Sequence, residues 1–600
     1  MEESRLPAWA REMRELFRAG TTSQFVLHGN VFDLVPSPDG KDFLPLRRYL
    51  AEVMFEPFEV VIQYDRGKGI RLRKGAEHFH RFLKVFDAFE GTSWASLPAA
   101  GKDKQEMLDM PGLLPRDPKR ALELIDRFLR ASLARTKVVD GEATADPLRV
   151  AVLIDYAHFI APQGDPIYLA DLSQTLIQLI DWASDPTVTG AFAATVLITE
   201  NLSDLNRLLV ENPYSAKIRI QLPDAGELGD FIVHLTRDVP DFSRLSELKL
   251  ETLAERLVGI SRVSARTLVL LPKTSGRRLS ASYLTRMKKD IIEKEAFGRL
   301  EFIESSRTLD DVAGHEEAKA WLRQDAVLLK KGIREAIPMG YLLTGRIGTG
   351  KTYLVECLAG EIGIPCVELK NFREKWVGAT EGNLEKVFNI LHALGQVIVF
   401  VDEADQAMGR RGGGEGDAGL SGRVYAMMAR EMSDTANRGK IIWIFATSRP
   451  DLLEVDLKRQ GRLDVHIPLF PPGTAAGRKE LFAAMARKLK LPLSPDELPP
   501  LPDNDQLGGN EMEGILVRAL RLHAGQAEGA APPRSLPELI AEAARDVRPS
   551  AHSERLDLMD LLAVKECTDA RFLPDRFRSI SMAGVNRRIA ELKAAVGEWS

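Results

Sequence analysis

The chain has 600 residues, of which 44% are hydrophobic and 28% charged, a composition typical of a globular protein with several domains. The formal net charge of −5 excludes the uniformly basic surface of a nucleic-acid coat protein, although a local basic patch stays possible. Three cysteines form no C-x-x-C pair, so we predict neither a disulfide framework nor a zinc site. The chain has no signal-like N-terminus and no apolar run of the roughly 18 residues that span a membrane, so we expect a cytoplasmic protein without membrane partners.

Strands and helices alternate through residues 1–272. Apolar runs predict strands at 25–28, 58–64, 150–154, 194–198 and 217–222. Helical periodicity covers 7–19, 45–55, 77–89, 118–134, 169–183 and 245–271. This alternation predicts an α/β module with a parallel sheet, flanking helices and a small helical lid. The polar segment 91–116 is expected to be an insertion, and the turn at Gly67 lacks the spacing of a phosphate loop.

A phosphate loop is predicted at Gly345-Arg346-Ile347-Gly348-Thr349-Gly350-Lys351-Thr352, which has the G-x-x-x-x-G-K-[ST] spacing. It follows the apolar run 341–343 and precedes a helical pattern at 353–362. The loop amides and the helix N-terminus would bind the phosphates of ATP. Lys351 would reach the β- and γ-phosphates, and the Thr352 hydroxyl would hold Mg²⁺. The alternative is a glycine-rich turn without a ligand.

An acidic pair follows the next buried strand. The apolar run 396–401 ends at Asp402 and Glu403. Asp402 is expected to hold Mg²⁺, and Glu403 to polarise the water that attacks ATP. A purely structural acidic strand end is the alternative, and the preceding phosphate loop disfavours it.

The two halves of the chain resemble each other at an offset of 247 residues. This offset aligns Asp155 with Asp402, Asp204 with Asp451, and Ile220 with Ile467. It also places Tyr156 where Glu403 stands in the second half. We therefore predict a tandem duplication whose first module hydrolyses no ATP.

Residues from Thr308 to about Ala524 resemble an AAA ATPase module of the kind found in valosin-containing protein, the proteasomal ATPases and FtsH. Three segments carry this resemblance: LDDVAG at 309–314, IFATSRPD at 444–451 and DLKRQGRLD at 456–464. The resemblance implies that Val312, Ala313 and Gly314 lie beside the adenine, with Tyr353 also at the nucleotide.

The resemblance also assigns roles to residues beyond the phosphate loop. Ser448 stands where the family usually has an asparagine that holds the lytic water, so a lower turnover is expected. Arg459 and Arg462 correspond to the arginine fingers that reach the γ-phosphate of the next subunit, and a locally paired surface arginine pair is the alternative. The offset of 247 gives the first module Asn212 and Ser215 instead, so it offers no finger.

The segment Lys375-Trp376-Val377-Gly378 resembles the pore loop with which such rings grip an extended polypeptide. A tryptophan packed in the core is the alternative. The loop 408–422 would either line the pore or be an idle connection. Helices at 475–489 and 511–523 resemble the family's C-terminal lid, with the turn 507–510 in the place of its glycine-containing sensor turn.

We therefore expect two tandem P-loop NTPase modules of the AAA type. The predicted division is a degenerate first module with its lid at 1–272, a linker at 273–307, a large ATPase subdomain at 308–472, a helical lid at 473–570, and a tail at 571–600 to which we assign no chemistry. The expected function is Mg²⁺-dependent ATP hydrolysis by a homo-oligomer, a hexamer by resemblance, that remodels or threads protein substrates.

Two other functions stay open at this stage. One is a nucleic-acid motor or loader, for which the sequence offers only a basic cluster in the linker; we do not expect a nucleic-acid partner, because such a helix is commonly a solvated face. The other is a nucleotide-gated scaffold with little turnover, which Ser448 permits.

Overall fold

The computed structural model describes residues 6–96, 114–139, 142–164, 170–189, 192–237, 239, 242–275, 278–296, 298–370, 379–408, 418–502, 507–526, 534–547 and 553–597. The chain divides into two units. The first comprises Met1–Ala296 with Trp376–Ala393, and the second comprises Phe297–Lys375 with Leu394–Ser600. Each unit is built on its own six-stranded sheet.

The described residues of the first unit form one large sheet and two small hairpins. Its strands are β1 (Gln24–Gly29), β2 (Leu34–Pro36), β3 (Phe43–Pro45), β4 (Val60–Asp65), β5 (Gly69–Lys74), β6 (Thr136–Val139), β7 (Glu142–Ala145), β8 (Val150–Ile154), β9 (Ala193–Ile198) and β10 (Ser215–Ile220). The large sheet has the order β10-β1-β9-β8-β4-β5, parallel except for β5, which pairs antiparallel with β4. The hairpins are β2–β3 and β6–β7.

The helices between residues 8 and 295 are α1 (Ala8–Arg18), α2 (Leu46–Tyr49), α3 (Ala76–Glu90), α4 (Pro118–Leu133), α5 (Ser173–Ser184), α6 (Arg207–Val210), α7 (Ala225–Thr236), α8 (Phe242–Leu245), α9 (Leu250–Leu257), α10 (Arg262–Ser275) and α11 (Ala281–Glu295). Helices α3–α6 share an apolar cluster with one face of the sheet, and α1 and α2 share a cluster with the other face. Along β8, Val152 and Ile154 join one apolar cluster and Ala151 and Leu153 join another. All five residues of β8 are buried, as expected for a parallel strand with helices on both faces.

Several elements of the first unit differ from the sequence prediction. The turn at Gly67 joins β4 to the edge strand β5, which was not predicted. The periodic stretch 245–271 contains two longer helices, α9 and α10. Helix α7 was missed, although Asp224 and Glu227 form a capping box at its start. Most of the predicted insertion, residues 97–113, lies outside the described residues.

The second unit repeats the same sheet. Its strands are β11 (Leu300–Phe302), β12 (Gly340–Thr344), β13 (Cys366–Leu369), β14 (Val397–Val401), β15 (Ile441–Thr447) and β16 (Val465–Pro468). Their order is β11-β13-β14-β15-β12-β16, with β11 antiparallel and the rest parallel. Edge strand β11 lies inside the segment predicted as a linker. The α/β fold class with two tandem parallel sheets is confirmed.

The helices from residue 316 onward are α12 (Glu316–Lys330), α13 (Lys351–Ile362), α14 (Ala379–Leu394), α15 (Ala404–Met408), α16 (Ala418–Ser433), α17 (Ala475–Lys488), α18 (Gly509–Ala524), α19 (Leu536–Arg545), α20 (Ser553–Glu566), α21 (Asp575–Arg578) and α22 (Met582–Ala595). Helices α17, α18 and α19 share one apolar cluster. Helices α20 and α22 share another, together with Phe470. The residues predicted as one lid, 473–570, thus contribute to two separate clusters.

The strand registers correct one alignment between the two halves. Leu27 pairs with Ile218 in the first sheet, and Leu343 pairs with Ile467 in the second. Ile218, and not Ile220, is therefore the counterpart of Ile467. The connection that follows Asp402 is two residues longer than the one that follows Asp155 (467 − 402 against 218 − 155). A constant offset of 247 cannot accommodate this difference.

The shift also moves the counterparts of the two arginines upstream of Asn212 and Ser215. They fall within residues 210–214, whose sequence VENPY contains no basic side chain. The first sheet therefore still has no counterpart of either arginine.

Candidate nucleotide site

The predicted phosphate loop connects β12 to α13, as the sequence pattern requires. Gly345 has φ of 138°, and a Cβ added there would lie 2.2 Å from the Leu469 carbonyl oxygen, so only glycine fits. Gly348 and Gly350 also have positive φ, at 84° and 86°. The backbone thus turns sharply three times before α13 begins at Lys351. A helix N-terminus directly behind such a loop favours an anion.

Lys351 folds back into the loop. Its Nζ donates to the carbonyl oxygens of Gly345 at 2.8 Å and of Arg346 at 3.1 Å. Burial lowers the pKa of Lys351 to about 8, while Asp402 contributes the largest effect among the acidic groups that raise it. A lysine held this way is suited to binding a polyphosphate. Burial disfavours its positive charge, and the negative charge of the phosphates would stabilise the ammonium.

The acidic pair lies directly opposite the helix start. Thr352 Oγ1 donates a 2.7 Å hydrogen bond to Asp402 Oδ2. Asp402 directly follows the fully buried strand β14, and Glu403 comes next with an exposed side chain and φ of 45°. A hydroxyl and a carboxylate at this separation supply the hard oxygen ligands that Mg²⁺ prefers, so the residues present fit that ion.

The neighbouring strand β15 adds a polar layer beside this pair. Thr447 Oγ1 donates to Asp405 Oδ1 at 2.6 Å and accepts from the Arg449 amide at 2.9 Å. Ser448 lies between Thr447 and Arg449, directly after β15. Asp405 was not singled out from the sequence, although it follows Asp402 by three residues on α15.

A cavity of about 610 Å³ opens next to the loop. Its lining includes Val312, Ala313 and Gly314, the predicted adenine contacts, together with Tyr353 and Gly348–Gly350 of the loop. The predicted lid turn closes another side, where the Gly509 amide donates to the Gly348 carbonyl oxygen at 3.2 Å.

Residues of the C-terminal tail, 571–600, also line the cavity. Arg571, Phe572, Arg576 and Arg578 line it. No chemistry is predicted for this segment from its sequence. Its clustered arginines, in RFLPDRFR at 571–578, were the signal that was available.

The two predicted finger arginines differ in exposure. The Arg459 side chain is 64% exposed and forms an ion pair of 3.0 Å with Asp456. The Arg462 side chain is 9% exposed, donates to the Asp456 carbonyl oxygen at 2.8 Å and also contacts the Asp456 carboxylate. Arg459 is therefore the arginine of the pair that is accessible to another molecule.

The equivalent place in the first unit is occupied by its own side chains. Arg47 Nε donates to Asp155 Oδ1 at 2.9 Å, and Gln63 donates to Asp155 Oδ2. The Arg47 guanidinium lies 4.8 Å from the centre of the Phe32 ring and 5.7 Å from that of Tyr156. An internal cation thus neutralises the carboxylate that corresponds to Asp402.

Glycine is nevertheless retained at the start of this vestigial loop. Gly29 has φ of 89°, and a Cβ there would lie 2.6 Å from the Ile220 carbonyl oxygen. The residues that follow Gly29 contain no lysine before position 41 and lead into the β2–β3 hairpin instead of a helix. In its described residues, the first unit keeps the sheet and the first turn of a phosphate loop, without the lysine and the helix N-terminus that bind phosphate in the second unit.

The predicted pore residues Lys375, Trp376 and Val377 lie outside the described residues, as do residues 409–417 of the loop 408–422. Among the described residues, no helix is both long and apolar enough to cross a membrane.

The glycine loop between a strand and a helix, faced by an acidic strand end in a parallel sheet, defines the second unit as a P-loop nucleotide-binding domain. Comparison with protein families narrows this class. Residues 341–470 match the family described as ATPase family associated with various cellular activities (AAA). Residues 2–221 match the AAA+ chaperone N-terminal Rossmann-like domain, and residues 229–297 match the AAA+ chaperone second helical domain. Residues 341–470 are therefore an AAA ATPase module, preceded by two domains of the AAA+ chaperone type, and the predicted resemblance is confirmed.

Individual relatives agree with this assignment. The chain is 36% identical over 197 residues to ATP-dependent zinc metalloprotease FtsH 1 of Symbiobacterium thermophilum, covering 31% of this chain and 33% of that protein. It is 36% identical over 193 residues to the chloroplastic FTSH 6 of Arabidopsis thaliana, covering 31% and 28%. It is 25% identical over 396 residues to the Cell division cycle protein 48 homolog of Archaeoglobus fulgidus, covering 60% and 52%. The matched region spans about a third of the FtsH relatives and about half of the CDC48 relative.

Proposed function

We propose that the second unit hydrolyses ATP with Mg²⁺ and that an oligomeric ring of this chain uses the energy to remodel or thread protein substrates. The observation that carries this proposal is the hydrogen bond from Thr352 to Asp402 with Glu403 beside it. It joins the two halves of a P-loop hydrolysis site, and a nucleotide-sized cavity lies next to it.

Each residue of the site has a role in this proposal. Lys351 binds the β- and γ-phosphates, and Thr352 and Asp402 hold Mg²⁺. The metal would neutralise charge on the phosphate oxygens during transfer. Glu403 accepts a proton from the attacking water, and Ser448 orients that water through its hydroxyl.

The ring follows from Arg459. We propose that Arg459, whose guanidinium is exposed beyond strand β15, is an arginine finger. Such a finger contacts the γ-phosphate bound by the next copy of the chain, so hydrolysis requires an oligomer. We propose a hexamer in which Arg459 serves as this finger. Arg462 is the second finger of the initial assignment, and its burial against Asp456 suits a role in holding the finger segment.

Protein substrates are proposed from the relatives. FtsH proteins are named ATP-dependent metalloproteases, which supports an AAA module that acts on polypeptides. We propose that Lys375, Trp376 and Val377 contact such a substrate in the ring pore.

We also retain the domain division at residues 272, 307, 472 and 570, and a cytoplasmic location, as parts of this proposal.

A second candidate function is a nucleotide-gated scaffold with low turnover. Ser448 favours it, because a serine reaches the lytic water less far than the usual asparagine. In that case nucleotide binding, and not continuous hydrolysis, would control the assembly.

The ATPase rate of the full chain separates these functions. It is measured alone, with a permanently unfolded protein, and with single-stranded nucleic acid, using Glu403→Gln as the blank. The proposal predicts stimulation by unfolded protein. Stimulation by nucleic acid alone would replace it with a nucleic-acid motor, and a rate equal to the blank under all conditions, with ATP still bound, would favour the scaffold.

A further inference from the structure

The C-terminal helices α20 and α22, which lie beyond the matched residues 341–470, are built into the nucleotide-binding unit. Leu558 and Leu562 of α20 pack with Val585 and Ile589 of α22 against Phe470, which follows β16. This apolar contact fixes α20 beside the end of the sheet that carries the phosphate loop.

Hydrogen bonds to edge strand β16 hold the end of α20 as well. The His466 amide donates to Thr568 Oγ1 at 2.9 Å, and His466 Nδ1 lies 2.8 Å from the Glu566 carbonyl oxygen. Lys458 Nζ donates to Glu566 Oε1 at 2.7 Å. The segment after α20 therefore covers polar groups that a sheet edge would otherwise expose.

From this position, α20 directs a buried carboxylate at the phosphate loop. Asp560 Oδ2 lies 3.8 Å from Arg346 Nη1, and the two side chains are 8% and 4% exposed. Asp560 Oδ1 is buried without a hydrogen-bond partner among the described residues. Burial raises the pKa of Asp560 to about 6, against the opposing effect of Arg346 and Arg576.

Arg346 connects this carboxylate to the residues that bind phosphate. It is the second residue of the loop, and its carbonyl oxygen accepts from Thr349 Oγ1 at 2.9 Å and from Lys351 Nζ at 3.1 Å. The position of the Arg346 backbone thus sets two other groups of the loop. A buried guanidinium requires a negative partner, and Asp560 supplies negative charge from outside the loop.

We propose that Asp560 is a positioning residue for nucleotide binding, which holds the phosphate loop in its binding conformation through Arg346. This inference rests on the proposed ATP site of the second unit. It assigns the C-terminal helices a direct part in that site, since the loop would depend on a carboxylate from α20.

The test is a set of variants in the full chain: Asp560→Asn, Arg346→Met, and the double variant Arg346→Met/Asp560→Leu. The control is Asp557→Asn, an exposed carboxylate three residues earlier on α20. The double variant is expected to fold, because replacing both partners of a buried ion pair with apolar side chains is commonly tolerated. The measurements are the Kd of a fluorescent ADP analogue, the KM and kcat of hydrolysis, and the unfolding midpoint without nucleotide.

We expect Asp560→Asn and Arg346→Met each to weaken ADP binding and raise KM by about tenfold or more, because a small displacement of the loop misplaces its phosphate-binding groups. The double variant should bind ADP about as weakly as the single variants and not more weakly, and the control should match the wild type. A folded double variant with wild-type Kd and KM overturns the proposal, even if Asp560→Asn alone unfolds. Because ADP binding is measured separately, a chain without ATPase activity would overturn the proposed function and leave this test valid.

Discussion

Tyr156 and Glu403 occupy the same position in the two sheets and share a left-handed backbone, with φ of 51° and 45°. Each follows an aspartate at the end of a fully buried parallel strand. Residues other than glycine rarely adopt this conformation. Its presence in both sheets indicates that the first unit keeps the backbone geometry of the site without the catalytic carboxylate. The second sheet presents a carboxylate there, and the first presents a phenol.

Glu403→Gln should abolish hydrolysis and leave nucleotide binding intact. The amide has nearly the same shape and cannot accept the water proton, so kcat should fall by about 100-fold or more. Fluorescent ATP binding and phosphate release measure the two effects separately. Tyr156→Phe is the matched control and should keep the wild-type rate. Unchanged turnover in Glu403→Gln would remove Glu403 from the mechanism.

Asp155→Asn should destabilise the first unit without changing nucleotide stoichiometry. The substitution removes the negative charge that faces Arg47 at 2.9 Å and Arg71 at 4.0 Å. Loss of one partner of a buried ion pair costs about 3–5 kcal/mol. Urea unfolding measures this cost.

Calorimetric titration with ADP should give one site per chain in the wild type and in Asp155→Asn. The phosphate-loop variant Lys351→Ala should give none. A second site that survives Lys351→Ala would show that the first unit binds nucleotide.

The stability of the second unit should decrease as the solution becomes acidic, in part because of His315. Burial lowers the pKa of His315 from 6.5 to about 4, so the imidazole is neutral in the folded chain. The unfolded chain therefore binds the extra proton between these values, and the free energy of unfolding falls as pH falls through that window.

His315→Asn should reduce this dependence, and asparagine tolerates the left-handed backbone at this position, where φ is 57°. Urea unfolding of both proteins at several pH values gives the comparison. Equal pH dependence of the two proteins would contradict the assignment.

The sequence was sufficient for the features that local chemistry specifies. The spacing of Gly345–Thr352 and the apolar strand before Asp402 predicted the loop, the helix and the acidic strand end. The short edge strands β5 and β11 were missed, because three to six residues at a sheet edge carry little periodicity.

Contacts between distant segments could not be predicted in the same way. Asp560 approaches Arg346 only because α20 packs against Phe470 and the edge of β16. Nothing in the residues around Asp560 indicates a phosphate loop as its neighbour. The two-residue difference between the halves was likewise visible only from strand pairing.

Arg459→Ala and Arg462→Ala should have different effects. If Arg459 is the finger, its removal should abolish hydrolysis in the oligomer. Because its side chain is 64% exposed, its removal should leave the melting temperature unchanged. Arg462 is buried against Asp456, so its removal should also lower the melting temperature. Thermal unfolding and ATPase rates of the two variants make the comparison. Full activity of Arg459→Ala would exclude it as a finger.

Mixing two inactive variants tests the ring ATPase most directly. Glu403→Gln subunits carry an intact Arg459, and Arg459→Ala subunits carry an intact Glu403. If each site is completed by the neighbouring copy, mixed oligomers contain some sites with both residues. We expect the mixture to hydrolyse ATP although neither variant does so alone. A mixture that exchanges subunits and remains as inactive as its components would contradict it.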